Sequence, residues 1–586
     1  MNKAMRVFIL LTAITLIVTS GGIAQNLPAH LTDKEKALLP YYTPQQSRGI
    51  TTPPASPIRN VAEWEEMDAV LIAIPYYEDF LTEVIRYTVD ECLVYLYVDD
   101  SIEVNNMLIG AGVDVTNVRY LQEYVNSVWI RDYGANSVYT NDVDSLLLVD
   151  WIYNRPRPED DASPAAFASV FDVPLYEITS PPTDLVHTGG NFMSDGFGTA
   201  FSEKIILDEN AEVDQYNQTP KTEQDIDNIM NDFLGIDNYI KIENLPYDGI
   251  HHIDMHMKIL DEETLLVGYY PDGISDGPYI EDNLNYILNN FNSVYGTPYE
   301  VVRIPMPPSQ SGTWPDDNAY YRTYTNSLII NNSVLIPTYY EEYDTTALRI
   351  YKEAMPGYRV IGIDANEVIP ASGTIHCTTH EVATKDPLLI SHQRLRDQTA
   401  YLTEYTIDAK IMHRSGISNA SIYYKNSYNG SYSAVGMSLS NPSENIWTGN
   451  IPGMNPGDSV YYYIEATSVS GKTQNRPMPA PEAYWAFKVL NSTSVTSNNL
   501  DNFKINVLYP HIESTTITSE IVCSKETNIK LDLYNAMGQH IQKIHNGKLP
   551  KGRALFYIKT NELSSGVYII KGINNNNNQT AKFVIR

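Results

Sequence analysis

Short apolar runs, four to seven residues long and separated by longer amphipathic stretches, restrict this chain more than any other feature. They fall at 69–75, 93–98, 146–149, 204–207, 265–268, 327–330 and 334–337. Runs of that length suit strands, while 78–92, 221–234 and 279–296 carry helical spacing. The alternation predicts an α/β domain over residues 62–408, although the order of its strands cannot be read from the pattern. Beyond residue 409 the texture changes to Ser, Asn and Tyr, with alternating runs at 420–424, 432–439, 445–451, 459–467 and 483–489. Turn-forming residues separate them, so an all-β sandwich is expected over 409–490. A polar linker, 491–502, then leads to a second β-rich region, 503–586, whose expected strands are 529–534, 554–560, 566–573 and 581–586. The five asparagines at 574–578 read as a surface turn.

Lys3 and Arg6 precede an apolar stretch at 7–18, and Gly22-Ile23-Ala24 supplies the small residues that a signal peptidase reads. Residues 1–24 are therefore expected to be an export signal. The proline-punctuated segment 25–61 is expected to be a leader or propeptide draped over the first domain. An exported chain with only Cys92, Cys377 and Cys523 cannot rest on a disulfide framework, so an apolar core must stabilise it. Cys92 reads as a structural thiol at the start of a strand. With 40 basic against 71 acidic residues the formal charge is -31, which repels nucleic acid and favours a cationic substrate or metal ion.

Three clusters carry chemistry. In Val128-Trp129-Ile130-Arg131-Asp132-Tyr133-Gly134, Asp132 sits just after an apolar stretch expected to be a strand. His252 and Asp254 in His251-His252-Ile253-Asp254-Met255-His256 would share one face if that segment were a strand. Cys377 ends the bend Ser372-Gly373-Thr374-Ile375-His376-Cys377. Two acids, a histidine and a thiol suit nucleophilic attack on a cationic electrophile. A planar guanidinium donates paired hydrogen bonds to carboxylates, which would hold its carbon before the thiol. A zinc site built from His251, His252, His256 and His376, with Cys377 and Asp254, is the competing reading. The His-X-Glu-X-X-His pattern is absent, and the cysteine spacing has no zinc-ribbon form.

Trp129-Ile130-Arg131-Asp132, His187-Thr188-Gly189-Gly190-Asn191-Phe192, His252-Ile253-Asp254 and Gly373-Thr374-Ile375-His376-Cys377 together resemble the guanidine-modifying (pentein) superfamily. Within it they resemble the bacterial peptidylarginine and agmatine deiminase branch, over residues 62–397. The resemblance implies a five-bladed, pseudo-symmetric α/β propeller, with Cys377 as nucleophile and His252 as general acid and base. Asp132 and Asp254 would clamp the guanidinium, and Asn326 would support them. The implied reaction converts arginine to citrulline and ammonia through a covalent thiouronium. No cofactor or catalytic metal is implied, in contrast to the calcium-dependent vertebrate enzymes. Acidic pairs such as Asp160-Asp161 and Asp316-Asp317 offer oxygen ligands for a structural calcium or sodium ion.

Asn154-Arg155-Pro156-Arg157-Pro158 resembles the loop that receives a peptide's C-terminal carboxylate in the peptidyl-specific branch. Arg155 and Arg157 would then select peptides ending in arginine, with Trp129 either covering the substrate's aliphatic stem or packing in the core. The bland alternative is a solvated turn. Residues 409–490 resemble the immunoglobulin-like domain of that branch, and 503–586 the type IX secretion sorting domain. The expected partners are arginine-containing peptides and the type IX machinery, and the expected location is outside the cell or on the outer-membrane surface. Agmatine deimination and an inactive adhesive protein are the alternatives.

Overall fold

The computed structural model describes residues 26–44, 48–212, 216, 218–398, 402–490, 503–508, 516–523, 525–549, 552–560, 563–574 and 577–585. The expected export signal and the 491–502 linker lie outside the described residues. Between residues 58 and 383 five sheets repeat one plan: two antiparallel strands, a helix, then a third strand parallel to the second. In one sheet the strands are Met257–Asp261, Thr264–Tyr269 and Glu300–Pro305, with helix Gly277–Asn290 as the crossover. In the next, Leu328–Ile330, Ser333–Thr338 and Arg359–Asp364 enclose helix Glu341–Ala354. Parallel pairing needs a long crossover, and the helix supplies it while covering the sheet's outer face. Strand His380–Ala383, late in the domain, pairs with Met67–Ala73 near its start.

That pairing brings segments about 300 residues apart into one continuous apolar core, from Trp64 through Val382. The second strand of each sheet is buried along nearly its whole length, as in Leu146–Tyr153. Such strands read as unbroken apolar runs, which explains why the sequence shows them clearly. One expected strand is corrected: 204–207 follows strand Thr199–Glu203 and lies in the turn and first residues of helix Ile205–Asn210. Its short apolar run did not distinguish a strand from a buried helical turn.

Strand Glu404–Met412 runs across the expected 408/409 boundary and pairs with Leu389–Ser391. Two β-sheets share the core formed by Leu388, Ile407, Ile422, Tyr462, Ile464 and Phe487. Two further sheets, holding Phe503–Leu508 and Thr527–Asn535 respectively, enclose a separate core around Ile521, Leu531, Leu533 and Ile570. Among the described residues no helix is long and apolar enough to cross a membrane.

Candidate active site

Each chemistry-bearing segment immediately precedes the first strand of a different repeating unit. The short helix Ile130–Tyr133, carrying Asp132, leads into Asn136–Thr140. The turn Gly189–Asn191 leads into Met193–Ser194, and Ile253–Met255, carrying Asp254, into Met257–Asp261. Asn326 precedes Leu328–Ile330, and Cys377 precedes His380–Ala383. Equivalent positions in the five units thus deliver residues remote in sequence to one buried place. Two local expectations are corrected. Asp132 sits within a helical turn, and His252 caps the 3-10 turn that contains Asp254, so the two do not share a strand face. Hydrogen-bonded turning, not period-two alternation, aims their side chains.

Cys377, His252, Asp254 and Asp132 are all buried, with exposures of 1%, 0%, 0% and 1%. The Cys377 sulfur receives a hydrogen bond from Asn326 Nδ2 (3.1 Å) and donates to Asp254 Oδ2 (3.5 Å). Asn326 Oδ1 accepts from the Thr374 hydroxyl (2.6 Å) and from the backbone N–H groups of His376 (3.1 Å) and Cys377 (3.3 Å). One amide therefore fixes the bend and addresses its sulfur. Burial, followed by the Asp254 and Asp132 carboxylates, pushes the thiol well above its usual pKa. Gly373 allows the closest approach in this bend: a Cβ there would lie 2.4 Å from the Trp129 ring and 3.0 Å from Cys377 Cβ.

Asp132 Oδ1 accepts the Gly190 N–H at 3.2 Å and lies 3.6 Å from His252 Nδ1. Burial raises the Asp132 pKa, and Arg155 is the leading influence opposing that rise. Burial also lowers His252 to about 3, leaving a neutral imidazole, with Thr188 Oγ1 3.4 Å from its Nε2. Among the described residues, Asp132 Oδ2 and Asp254 Oδ1 have no hydrogen-bond partner. Buried acceptors are rarely left so, and two of them beside a thiol form a receptor for a donor-rich cation.

The sequence reading missed the support behind Asp254. His376 lies between two carboxylates, with Nδ1 2.7 Å from Asp254 Oδ2 and Nε2 3.0 Å from Glu63 Oε1. Lys258, itself buried, pairs with the other oxygen of Glu63. Burial opposes the Glu63 charge, but Lys258 and then His376 outweigh it and hold that carboxyl well below its usual range. Arg131 similarly joins two site segments: its backbone N–H donates to Cys377 O (3.2 Å), and its guanidinium grips Glu381. Glu63 stands outside every recognisable motif, so no local signal reveals it.

His251 and His256 turn instead to Glu203, at 3.8 and 3.5 Å. Among the described residues no group of three or more His, Cys, Asp or Glu is arranged to hold a metal ion. Asp160 belongs to the core rather than to an acidic surface. Its carboxylate accepts from the N–H groups of Asn126 (2.7 Å) and Ser127 (3.0 Å) and from the Ser127 hydroxyl (2.6 Å). Arg155 and Arg157 are 4% and 1% exposed, so their loop is not a solvated turn. Arg155 Nε donates to Ala29 O (2.8 Å), while Arg157 donates to Glu35 (2.7 Å) and Pro28 O (2.6 Å). Trp129 is buried and donates from Nε1 to Leu27 O at 2.8 Å.

A buried thiol flanked by paired acids and imidazoles, on five repeated α/β units, defines a cysteine hydrolase of the deiminase class. The chain belongs to the Porphyromonas-type peptidyl-arginine deiminase family, whose profile matches residues 59–382. Residues 509–586 match the secretion system C-terminal sorting domain, which marks the chain for type IX secretion and release or outer-membrane surface attachment. A protein of Mycoplasma mycoides subsp. mycoides assigned as an agmatine deiminase is 23% identical over 296 residues, covering 46% of this chain and 78% of that one. One of Vibrio parahaemolyticus with the same assignment is 24% identical over the same coverage. An X-ray structure of a protein assigned as an agmatine deiminase shares the fold, with a TM-score of 0.50, 20% identity, and coverage of 58% of this chain and all of that one.

Proposed function

We propose that this protein is a secreted peptidyl-arginine deiminase that prefers arginine at a peptide's C-terminus. The observation carrying this reading is the pair of buried guanidinium groups, Arg155 and Arg157, close enough to Asp132 for their charge to oppose the rise in its pKa. Two fixed cations suit a substrate carboxylate and repel the ammonium tail of agmatine. Agmatine deimination is the second reading, favoured by the assignments of the Mycoplasma and Vibrio relatives.

In the proposed reaction the substrate guanidinium donates to Asp132 Oδ2 and Asp254 Oδ1, which places its carbon before Cys377. Its positive charge offsets the two carboxylates that keep the thiol protonated, so arrival of substrate favours the thiolate. The neutral His252 imidazole takes the thiol proton as sulfur bonds to carbon. It then gives that proton to the departing nitrogen, and ammonia leaves a thiouronium on Cys377. Water, deprotonated by His252, adds to that carbon. As the carbon–sulfur bond breaks, the sulfur takes the proton back from His252, and the added hydroxyl loses its proton to ammonia, leaving the ureido product, the thiol and ammonium. Trp129 lies against the bend holding Cys377, where its ring would flank the substrate's stem.

The five repeated sheets, with their last strand paired to the first unit, support reading the catalytic domain as a closed five-bladed ring. We read the sandwich beginning near residue 388 as an immunoglobulin-like spacer. The test is product formation by the secreted protein on three substrates: a peptide ending in arginine, its C-terminal amide, and agmatine. The first should be turned over fastest. Equal rates on the peptide and its amide remove the role given to Arg155 and Arg157, and faster turnover of agmatine establishes the second reading.

A further inference from the structure

The chain's own N-terminal segment lies against Trp129, the arginine pair and the start of the bend that carries Cys377. Leu27 O receives hydrogen bonds from Trp129 Nε1 (2.8 Å) and the Tyr76 hydroxyl (2.9 Å), and that hydroxyl accepts the Leu27 N–H (2.9 Å). Pro28 O and Ala29 O lie on Arg157 and Arg155. Ala29 N–H donates to Ala371 O (2.8 Å), and His30 Nδ1 lies 3.2 Å from Ser372 Oγ, at the start of the bend that leads to Cys377. Most of these contacts are made by main-chain atoms, as they would be with an extended peptide.

Glu35 then brings a carboxylate to Arg157. It sits in helix Asp33–Leu38, where a Thr32–Glu35 capping box fixes it. One oxygen serves Thr32 while the other accepts from Arg157, and the pair is nearly sealed from water, with exposures of 1% and 8%. Farther along, Leu39 packs with Ile152, Val186 and Tyr216 in a small cluster separate from the main core. Peptide carbonyls and a carboxylate on the arginine pair are the groups that a peptide's C-terminal end would bring.

We propose that residues 26–42 occupy the peptide-binding groove as an intramolecular stand-in for substrate, and that the chain stays latent until this segment is cut away. The inference rests on the reading of Arg155 and Arg157 given above, and it adds a means of regulating that site. It also accounts for catalytic groups that are at most 1% exposed while the segment is in place. A chain held in this form stays inactive before it leaves the cell.

The test uses the full chain with a specific protease sequence in place of residues 45–47. Alkylation of Cys377 by a haloacetamidine is followed by peptide mass mapping, alongside ammonia release from an arginine-ending peptide and from agmatine. Cutting should raise Cys377 alkylation and ammonia release by about tenfold or more, and a synthetic peptide of residues 26–44 should reverse both. Glu35→Gln in the uncut chain should give intermediate rates. Equal alkylation before and after cutting overturns the proposal. So does unfolding on cutting, seen by circular dichroism, because the segment would then be a structural strap. Faster alkylation with no turnover of either guanidine keeps the proposal and removes the assigned reaction.

Discussion

His376 Nδ1 stands 2.7 Å from Asp254 Oδ2, so the residue before the thiol orients the acid beside it. Its other nitrogen meets Glu63, which Lys258 holds in place. A buried lysine, a largely buried glutamate and a buried histidine thus form one line of support ending at the proposed guanidinium clamp.

Glu63→Gln should lower kcat by about 10²-fold with little change in KM, because small displacements of a reacting group are costly. Glu63→Asp should restore part of the loss. The same substitution should alter acid stability. The Glu63 carboxyl is depressed below its ordinary 4.5, so its contribution is present above that pH and is lost as pH falls through the folded-state value. Thermal unfolding from pH 7 downward should show a shallower loss in Glu63→Gln than in the native protein. An unchanged pH dependence would contradict the buried pairing.

Asp254→Asn should abolish deimination yet speed alkylation of Cys377 by neutral iodoacetamide. Asp254 is the leading charge that raises the thiol pKa, so removing it shifts the equilibrium toward thiolate at a given pH. Stopped aliquots mapped by mass spectrometry measure the rate. Slower labelling would mean that the carboxylate does not suppress ionisation.

Asn326→Ala should cost about 1–3 kcal/mol in urea unfolding, because three buried donors lose their acceptor. Asn326→Asp should retain more stability, since it still accepts, while turnover falls because a negative oxygen replaces the donor facing sulfur. Equal stability of the two variants would count against this bonding pattern.

Gly190→Ala places a Cβ 2.3 Å from His252 Nδ1 and 3.0 Å from Asp132 Oδ1. The expected result is a fall in kcat with an intact circular dichroism spectrum. Wild-type turnover would show that the imidazole can move without consequence.

Much of the site was legible because Asp132, His252, Asp254 and Cys377 sit in compact motifs whose order survives in a single chain. Strands such as Met67–Ala73 and Thr264–Tyr269 were legible because both their faces are buried. The 3-10 turn after His252 was not, since a three-residue turn has too few positions to show a period. Glu63 was invisible for a different reason: it meets His376 across 313 positions of chain, and only the assembled repeats bring them together. The two arginines were recognised from their loop, but their partners Pro28, Ala29 and Glu35 lie in a segment whose proline-rich composition specifies no docking register.

The central claim is that paired acids hold a guanidinium carbon in front of the Cys377 sulfur. Rapid acid quenching of the secreted protein during turnover of an arginine-ending peptide, followed by mass mapping, tests it most directly. The predicted result is an adduct on the Cys377 peptide with the mass of substrate less one ammonia, absent in Cys377→Ala together with all turnover. Ureido product formed by Cys377→Ala at the native rate would contradict the account.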